Sequence, residues 1–320
     1  MTDAHVVLGR IPPHLLGGEI PLDVEAARAG LLDLAQRLGL DLERAATGIL
    51  EISAWNQANA LRQVTVKRGL DVRDFTMATF GGSGSLLLCR LADVLGLAGV
   101  LVPRDPGNVS AYGLLTVDVR NDYVRTAVSR HADLDPAALA DHYADLQEQA
   151  AASLDREGFG RDRHVHQRSA DLRYAGQAFE VRVPAPDGHV DAAWAEQVAQ
   201  AFHDAHEQLY GYAFRDDPRQ PVEWVNLRVS GIGPIERPRP REVARRDGGP
   251  ERARTGERPV FFDDESGWAT TPIYWRPDLA PDDEVDGPAV VEEFGSTVPV
   301  HPGFRATVDR FGNLLVRRHG

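Results

Sequence analysis

The segment from Asp74 to Leu88 carries apolar and β-prone residues directly before Gly81-Gly82-Ser83-Gly84, with leucines directly after them. That order predicts a buried strand, a glycine turn and then a helix, because glycine adopts backbone angles other residues avoid. This part of the chain should therefore fold as α/β. Exposed N–H groups at the start of such a helix attract anions, which makes the turn a candidate phosphate or nucleotide contact. The alternative is a turn that needs glycine for helix–sheet packing alone.

Three known turn motifs fail here on named residues. A P-loop ends in Gly-Lys-Ser/Thr, but Lys67 is the chain's one lysine and precedes the strand. A dinucleotide fingerprint needs a small residue where the register from Gly82 and Gly84 places Leu87. A hydrolase elbow would make Ser83 the nucleophile, yet Ser85 stands where its last glycine belongs. Serine in a tight turn also serves as a local hydrogen-bonding group.

Charge and cysteine use narrow the partners. At 320 residues the chain should hold about two domains, and a hydrophobic share of 42% supplies ordinary globular cores. A formal charge of −13 argues against nucleic acid or an anionic membrane as the main partner. Arg245 and Arg246 sit in a polar linker and read as solvated. The single Cys89 cannot form an internal disulfide and reads as a small core residue, which fits a reducing, cytoplasmic setting. The first residues lack the features of a secretion signal, and no apolar run approaches the ~20 residues of a membrane span.

Texture divides the chain. Asp23 to Leu38 reads as a helix stopped by Gly39, and Asp41 caps a long helix with Ala45, Ile49, Ile52 and Val64 on its apolar face, ending by Gly69. Residues 99–103 read as a second strand, so strand, helix and strand form a parallel crossover. Further on, a helix from Pro136 to Leu154 precedes a hairpin of Val165–Tyr174 with Phe179–Val183. A helix from Ala192 to Leu209 and an alternating strand from Val222 to Val229 follow. The expected organisation is 1–123 as an α/β domain, 124–235 as α+β, 236–256 as a Pro- and Arg-rich linker, and 257–320 as a small β-rich unit.

Several segments, in this order, resemble the large subunit of the hydantoinase/oxoprolinase family. They are Thr2-Asp3-Ala4 with Val7-Leu8-Gly9-Arg10, Asn56 to Ala60 through Arg68-Gly69, Phe80 to Gly84, Val100 to Pro103, and Ser110 to Leu115 with Asp118. Later ones are Tyr174 to Gln177, His203 to Glu207 with Tyr210-Gly211-Tyr212, and Gly287 to Glu293. The resemblance implies half of an actin/Hsp70/sugar-kinase-like, ribonuclease-H-like ATPase fold, with Gly81, Gly82, Ser83 and Gly84 beside the adenosine. It also implies that the phosphate motifs lie in sequence preceding Thr2, so this chain should correspond to the second half of such a subunit.

On that resemblance the chain is expected to be one component of an ATP- and Mg-dependent assembly acting on a cyclic amide or related carbonyl. The expected partners are a chain carrying the other ATPase half, a hydantoinase B-like subunit and a small-molecule substrate. Alone it should turn over little ATP. A non-catalytic scaffold subunit and a serine hydrolase using Ser83 are the alternatives. The chain departs from the family pattern at His5, Ala54, Ser85 and Leu87. Asp3 and Asp118 are the candidate catalytic carboxylates from the resemblance, and either could instead be a cap or turn residue. His203 and His206, three apart on a helix, are the candidate metal ligands. Glu292 and Glu293 should point to opposite faces of a strand, and His164 and His166 to one solvated face.

Overall fold

Helices begin where the sequence supplies a side-chain acceptor. In the computed structural model, which describes residues 1–215 and 217–319, Asp23 accepts from Ala26 N at 2.9 Å and Asp41 from Arg44 N at 2.8 Å. These carboxylates satisfy amide donors left unpaired in a first helical turn. They start α2 (Val24–Leu38) and α3 (Leu42–Val66), after a short α1 (Thr2–Val7). Gly39, with φ 68°, closes α2 as expected.

The face of α3 that packs inward is partly the expected one: Ala45 is buried and Ile49 packs against the core, but the face turns away from Ile52 and Val64. Leu42, Ala45, Ala46, Leu50, Ala54 and Ala58 are buried, whereas Ile52 and Val64 are 65% and 57% exposed. Ala46, Ala54 and Ala58 share one core with residues of α1 and α2, and small side chains allow helices to approach closely. Close helix packing outweighs the pull of the larger side chains.

The crossover forms, with shorter pieces than expected. β3 is only Met77–Ala78, and it pairs in parallel with β4 (Val100–Val102), Met77 opposite Val100. The intervening α4 (Leu88–Leu95) starts four residues after Gly84, because residues 82–87 form successive turns. Ser85 is turned inward there, its Oγ 3.0 Å from Ser296 Oγ and 2.9 Å from Thr297 O. After β4 comes α5 (Val109–Leu114).

The described residues divide into two compact units, Met1–Leu114 with Arg239–Gly320, and Leu115–Pro238. In the first, β11 (Glu284–Asp286), β14 (Phe304–Val308) and β15 (Leu314–Arg318) continue the sheet of β3 and β4, in the order β11-β14-β15-β4-β3. Leu314 lies opposite Val102 and Val316 opposite Val100. Residues 257–320 are therefore no separate unit: strands of three to eight residues bury their apolar faces by sharing sheets and core with the first region. The stretch expected as a linker also re-enters this unit, with Val243 N donating to Arg310 O at 2.9 Å and Ala253 buried.

A second sheet of the same unit has the order β13-β12-β10-β9, with β9 Arg254–Phe261, β10 Trp268–Trp275, β12 Ala289–Glu293 and β13 Ser296–Val300. The chain after α1 runs along β9. Phe261 N donates to Leu8 O at 2.9 Å and Arg258 Nε to Gly9 O at 2.6 Å. Gly9, at φ 70°, has no space for a side chain, since a Cβ would sit 2.3 Å from Pro259 O. A small hairpin of β1 (His14–Leu15) and β2 (Ile20–Pro21) follows.

The second unit is an antiparallel sheet in the order β5-β8-β6-β7, with β5 Val119–Arg130, β6 Val165–Tyr174, β7 Val181–Ala185 and β8 Val222–Gly233. The predicted hairpin is β6–β7, two residues displaced on its second arm. Helices α6 (Pro136–Arg156) and α7 (Ala192–Tyr210) share one core with the sheet, built around Tyr143, Tyr174, Phe202 and Trp224. The expected boundary at residue 123 falls inside β5, whose ladder with β8 runs on through it. Among the described residues no helix is long and apolar enough to cross a membrane.

Candidate functional site

The glycine turn is held by three local constraints. Gly81, at φ 87°, donates its N–H to Pro106 O at 2.7 Å, which ties the turn to residues 106–108. Gly84 packs so tightly that a Cβ would lie 2.2 Å from Phe80 O. Ser85, bonded to Ser296 and Thr297, anchors the far end. Between these anchors Gly82 and Ser83 are exposed, and among the described residues their N–H groups donate to no protein acceptor.

Gly82 and Ser83 line a groove of about 350 Å³ within the first unit. The other walls are the β1–β2 hairpin, with Leu15, Leu16 and Ile20, and the β12–β13 turn, with Phe294, Gly295 and Ser296, which abuts the glycine turn at Gly82 and Ser85. These walls lean on each other, since a Cβ on Gly17 would come within 2.8 Å of the Phe294 ring. Thr2 and Trp275 also line it. Apolar walls with two unpaired backbone donors suit a flat, partly polar ligand better than a free ion.

Two carboxylates also line the groove, and both are occupied. Glu292 accepts from Arg258 Nη1 at 2.5 Å and Glu293 from Arg276 Nη1 at 2.8 Å, so the neighbours on β12 point apart as expected. Burial pushes the Glu293 carboxyl up, opposed by the guanidinium of Arg276, while burial lowers Arg276 itself. Ser83 Oγ bonds to no imidazole or carboxylate among the described residues, so the nucleophile–base contact of a serine hydrolase is not assembled. The hairpin, Trp275 and the β12–β13 turn escaped the sequence reading. The Gly17-Gly18 pair between Leu16 and Ile20 was the available signal for the hairpin.

The other candidates lie elsewhere. Asp3 is exposed in the first turn of α1, next to Thr2 of the groove. Asp118 belongs to the second unit, where it accepts from Ile235 N at 3.2 Å and Arg237 Nη2 at 3.1 Å, the work of a turn-locking residue. His203 and His206 are buried among aromatic rings. Tyr174 OH lies 2.6 Å from His203 Nδ1, and His206 contacts Gln177 Nε2 at 3.2 Å and Tyr212 O at 2.9 Å. Among the described residues no three His, Cys, Asp or Glu side chains are grouped to hold a metal ion. The two histidines instead join the Tyr174–Gln177 and Tyr210–Tyr212 segments into one hydrogen-bonded cluster. His164 Nε2 lies 3.0 Å from Phe159 O.

The departures from the family pattern are packed away. His5 is fully buried with both ring nitrogens unpartnered, and burial first, then Arg10 and the N-terminus, bring its pKa down to about 3. Ala54 and Leu87 lie in the same core as Leu8 and Leu50. Cys89 is buried as expected, its thiol pushed up to about 12 by desolvation.

Comparison with known proteins finds two family models. The one described as hydantoinase/oxoprolinase matches residues 1–123, and the hydantoinase/oxoprolinase C-terminal domain matches residues 128–318. The caprolactamase subunit alpha of Pseudomonas jessenii is 32% identical over 97% of this chain and 45% of its own length. The crystal structure of ATP-dependent caprolactamase from Pseudomonas jessenii aligns at a TM-score of 0.74 and 31% identity, over 100% of this chain and 46% of that one. The nucleotide-free structure of acetone carboxylase shares the fold at a TM-score of 0.82 and 24% identity, over 99% of this chain and 46% of that one. The chain thus spans less than half the length of each of these relatives.

Proposed function

The chain belongs to the hydantoinase/oxoprolinase family, and from that membership we propose that it supplies the adenosine side of a nucleotide cleft in an ATP-dependent amide hydrolase or related carboxylase. The observation that carries this reading is the pair of unpaired N–H groups on Gly82 and Ser83, set in an apolar-walled groove. A base or ribose edge would take those donors, with Phe294 and the β1–β2 hairpin covering its flat faces. This half-site corresponds, on our reading, to one half of an actin-like ATPase fold.

The same groove does not fit the charged end of ATP. Its two carboxylates are committed to arginines, and among the described residues no cluster suits Mg. ATP contributes to such enzymes the activation of an unreactive carbonyl oxygen, which depends on positioning and on neutralising phosphate charge. Residues for that task would come from a partner chain carrying the other ATPase half, with a hydantoinase B-like subunit as a further partner. The substrate class would be a cyclic amide or related carbonyl compound.

A second reading, a non-catalytic interaction subunit, is supported by Ala54 and Leu87, which fill core where the family pattern carries polar side chains. Binding of a fluorescent adenine nucleotide separates the two. Saturable binding by the chain, weakened at least about tenfold in Gly82→Leu, together with negligible ATP turnover until a partner is added, is the expected result. Absence of nucleotide binding by the folded chain favours the interaction subunit, and ATP turnover by the chain alone contradicts the half-site.

A further inference from the structure

A second cavity of the first unit, about 320 Å³, lies between α3, α4 and the chain leaving β9, and shares no lining residue with the groove at the glycine turn. Most charges around it are paired. Glu51 meets Arg90 at 2.6 Å, Asp93 meets Arg318 at 2.5 Å, and Asp264 meets Arg44 at 3.2 Å. Two are left over. Arg10, 4% exposed, donates Nε to Phe261 O at 2.9 Å and Nη2 to Phe262 O, both neutral backbone acceptors. Asp263 accepts from Ser266 N at 2.7 Å. Among the described residues neither Arg10 nor Asp263 has an ion-pair partner, and they do not pair with each other although both face the cavity.

Burying a guanidinium without a directly bonded counter-ion is costly, and Asp263, the first of the charges that act on Arg10 across the cavity, offsets that cost only through space. One small molecule bearing a carboxylate and an ammonium would give each of them a direct ionic contact. We propose that this cavity binds an amino-acid-like zwitterion, its carboxylate on the Arg10 guanidinium and its ammonium toward Asp263. The volume is at the lower end for a small-molecule site and matches a ligand of that size. The assignment stands whether or not the glycine-turn groove takes a nucleotide.

Calorimetric titration of the full chain with glycine, β-alanine, 4-aminobutanoate and 6-aminohexanoate, against butanoate and butylamine, tests it. At least one zwitterion is expected to bind about tenfold or more tightly than the singly charged compounds, the usual worth of a charge-assisted contact. Asp263→Asn keeps an acceptor for Ser266 N and should reduce the best zwitterion to the affinity of butanoate. Arg10→Lys should weaken zwitterion and butanoate alike, with circular dichroism reporting its fold. If Arg10→Lys does not fold, Asp263→Asn and the butanoate comparison decide alone. The proposal is overturned if no zwitterion binds with a Kd below about 10 mM, if butanoate or butylamine binds equally well, or if the preference survives Asp263→Asn.

Discussion

Arg276 and Glu293 meet at 2.8 Å with side chains only 6% and 9% exposed, and the same guanidinium donates to Val102 O, Pro103 O and Gly312 O. One side chain thus ties the end of β4 and the turn before β15 to β12, joining the two sheets of the first unit beside the glycine-turn groove. Arg276→Met would leave a buried carboxylate without its partner, which typically destabilises by about 3–5 kcal/mol. Adding Glu293→Leu should recover the charge part of that loss and not the three carbonyl contacts. Urea unfolding of the single and double variants is the measurement, and equal stability of the two would contradict a charge penalty.

Gly84 and Gly82 should respond unequally to one added methyl. A Cβ on Gly84 would collide with Phe80 O at 2.2 Å, a backbone atom that cannot swing aside, whereas on Gly82 the nearest atom is Gly295 O at 3.3 Å. Gly84→Ala is expected to cost about 1–3 kcal/mol as overpacking. Gly82→Ala asks Gly295 O to give by only a few tenths of an ångström and should cost less, below about 1 kcal/mol. Thermal unfolding of both variants checks the contrast, and a reversed order would mean the turn is built otherwise.

Local chemistry is where the sequence was readable. Asp23, Asp41 and Gly39 act on neighbours a few residues away, so their helix boundaries followed from the residues themselves. The pairing of β15 with β4 joins residues more than 200 positions apart, and no pattern within residues 257–320 announces it. The groove was half legible for the same reason. Gly82 and Ser83 stood out, while Phe294 and the β1–β2 hairpin reach them only through the tertiary fold. The histidines misled because helical spacing places His203 and His206 on one face without saying that Tyr174 and Gln177 already hold them.

Tyr174 is the hub of the second unit's histidine cluster, with its hydroxyl 2.6 Å from His203 Nδ1 and accepting from Phe214 N at 2.7 Å. Removing that oxygen strands a part-buried backbone donor and a ring nitrogen of the buried His203. Tyr174→Phe should therefore lose about 1–3 kcal/mol, the penalty for unsatisfied buried groups. Zinc at modest excess should leave the wild-type melting temperature unchanged if these histidines are structural. A zinc-dependent rise lost in His203→Ala would restore them as ligands.

His5 sets an acid limit on stability. Its folded-state pKa is brought down to about 3 from the ordinary 6.5, so below about pH 6.5 the unfolded chain binds a proton that the folded chain refuses. Stability is full above the unfolded value and falls as pH drops from there toward the folded one, by up to about 1.4 kcal/mol per pH unit for one group. Burial lowers His166, His203 and His301 as well, so the limb should be steeper than one proton in the wild type. His5→Leu removes one titrating group and two unpartnered nitrogens while filling similar space. It should equal or exceed wild type in stability near neutral pH, and its urea midpoint should fall less between about pH 6.5 and pH 5. Identical slopes for the two proteins would show that the ring at position 5 is charged in the folded state, or reaches water.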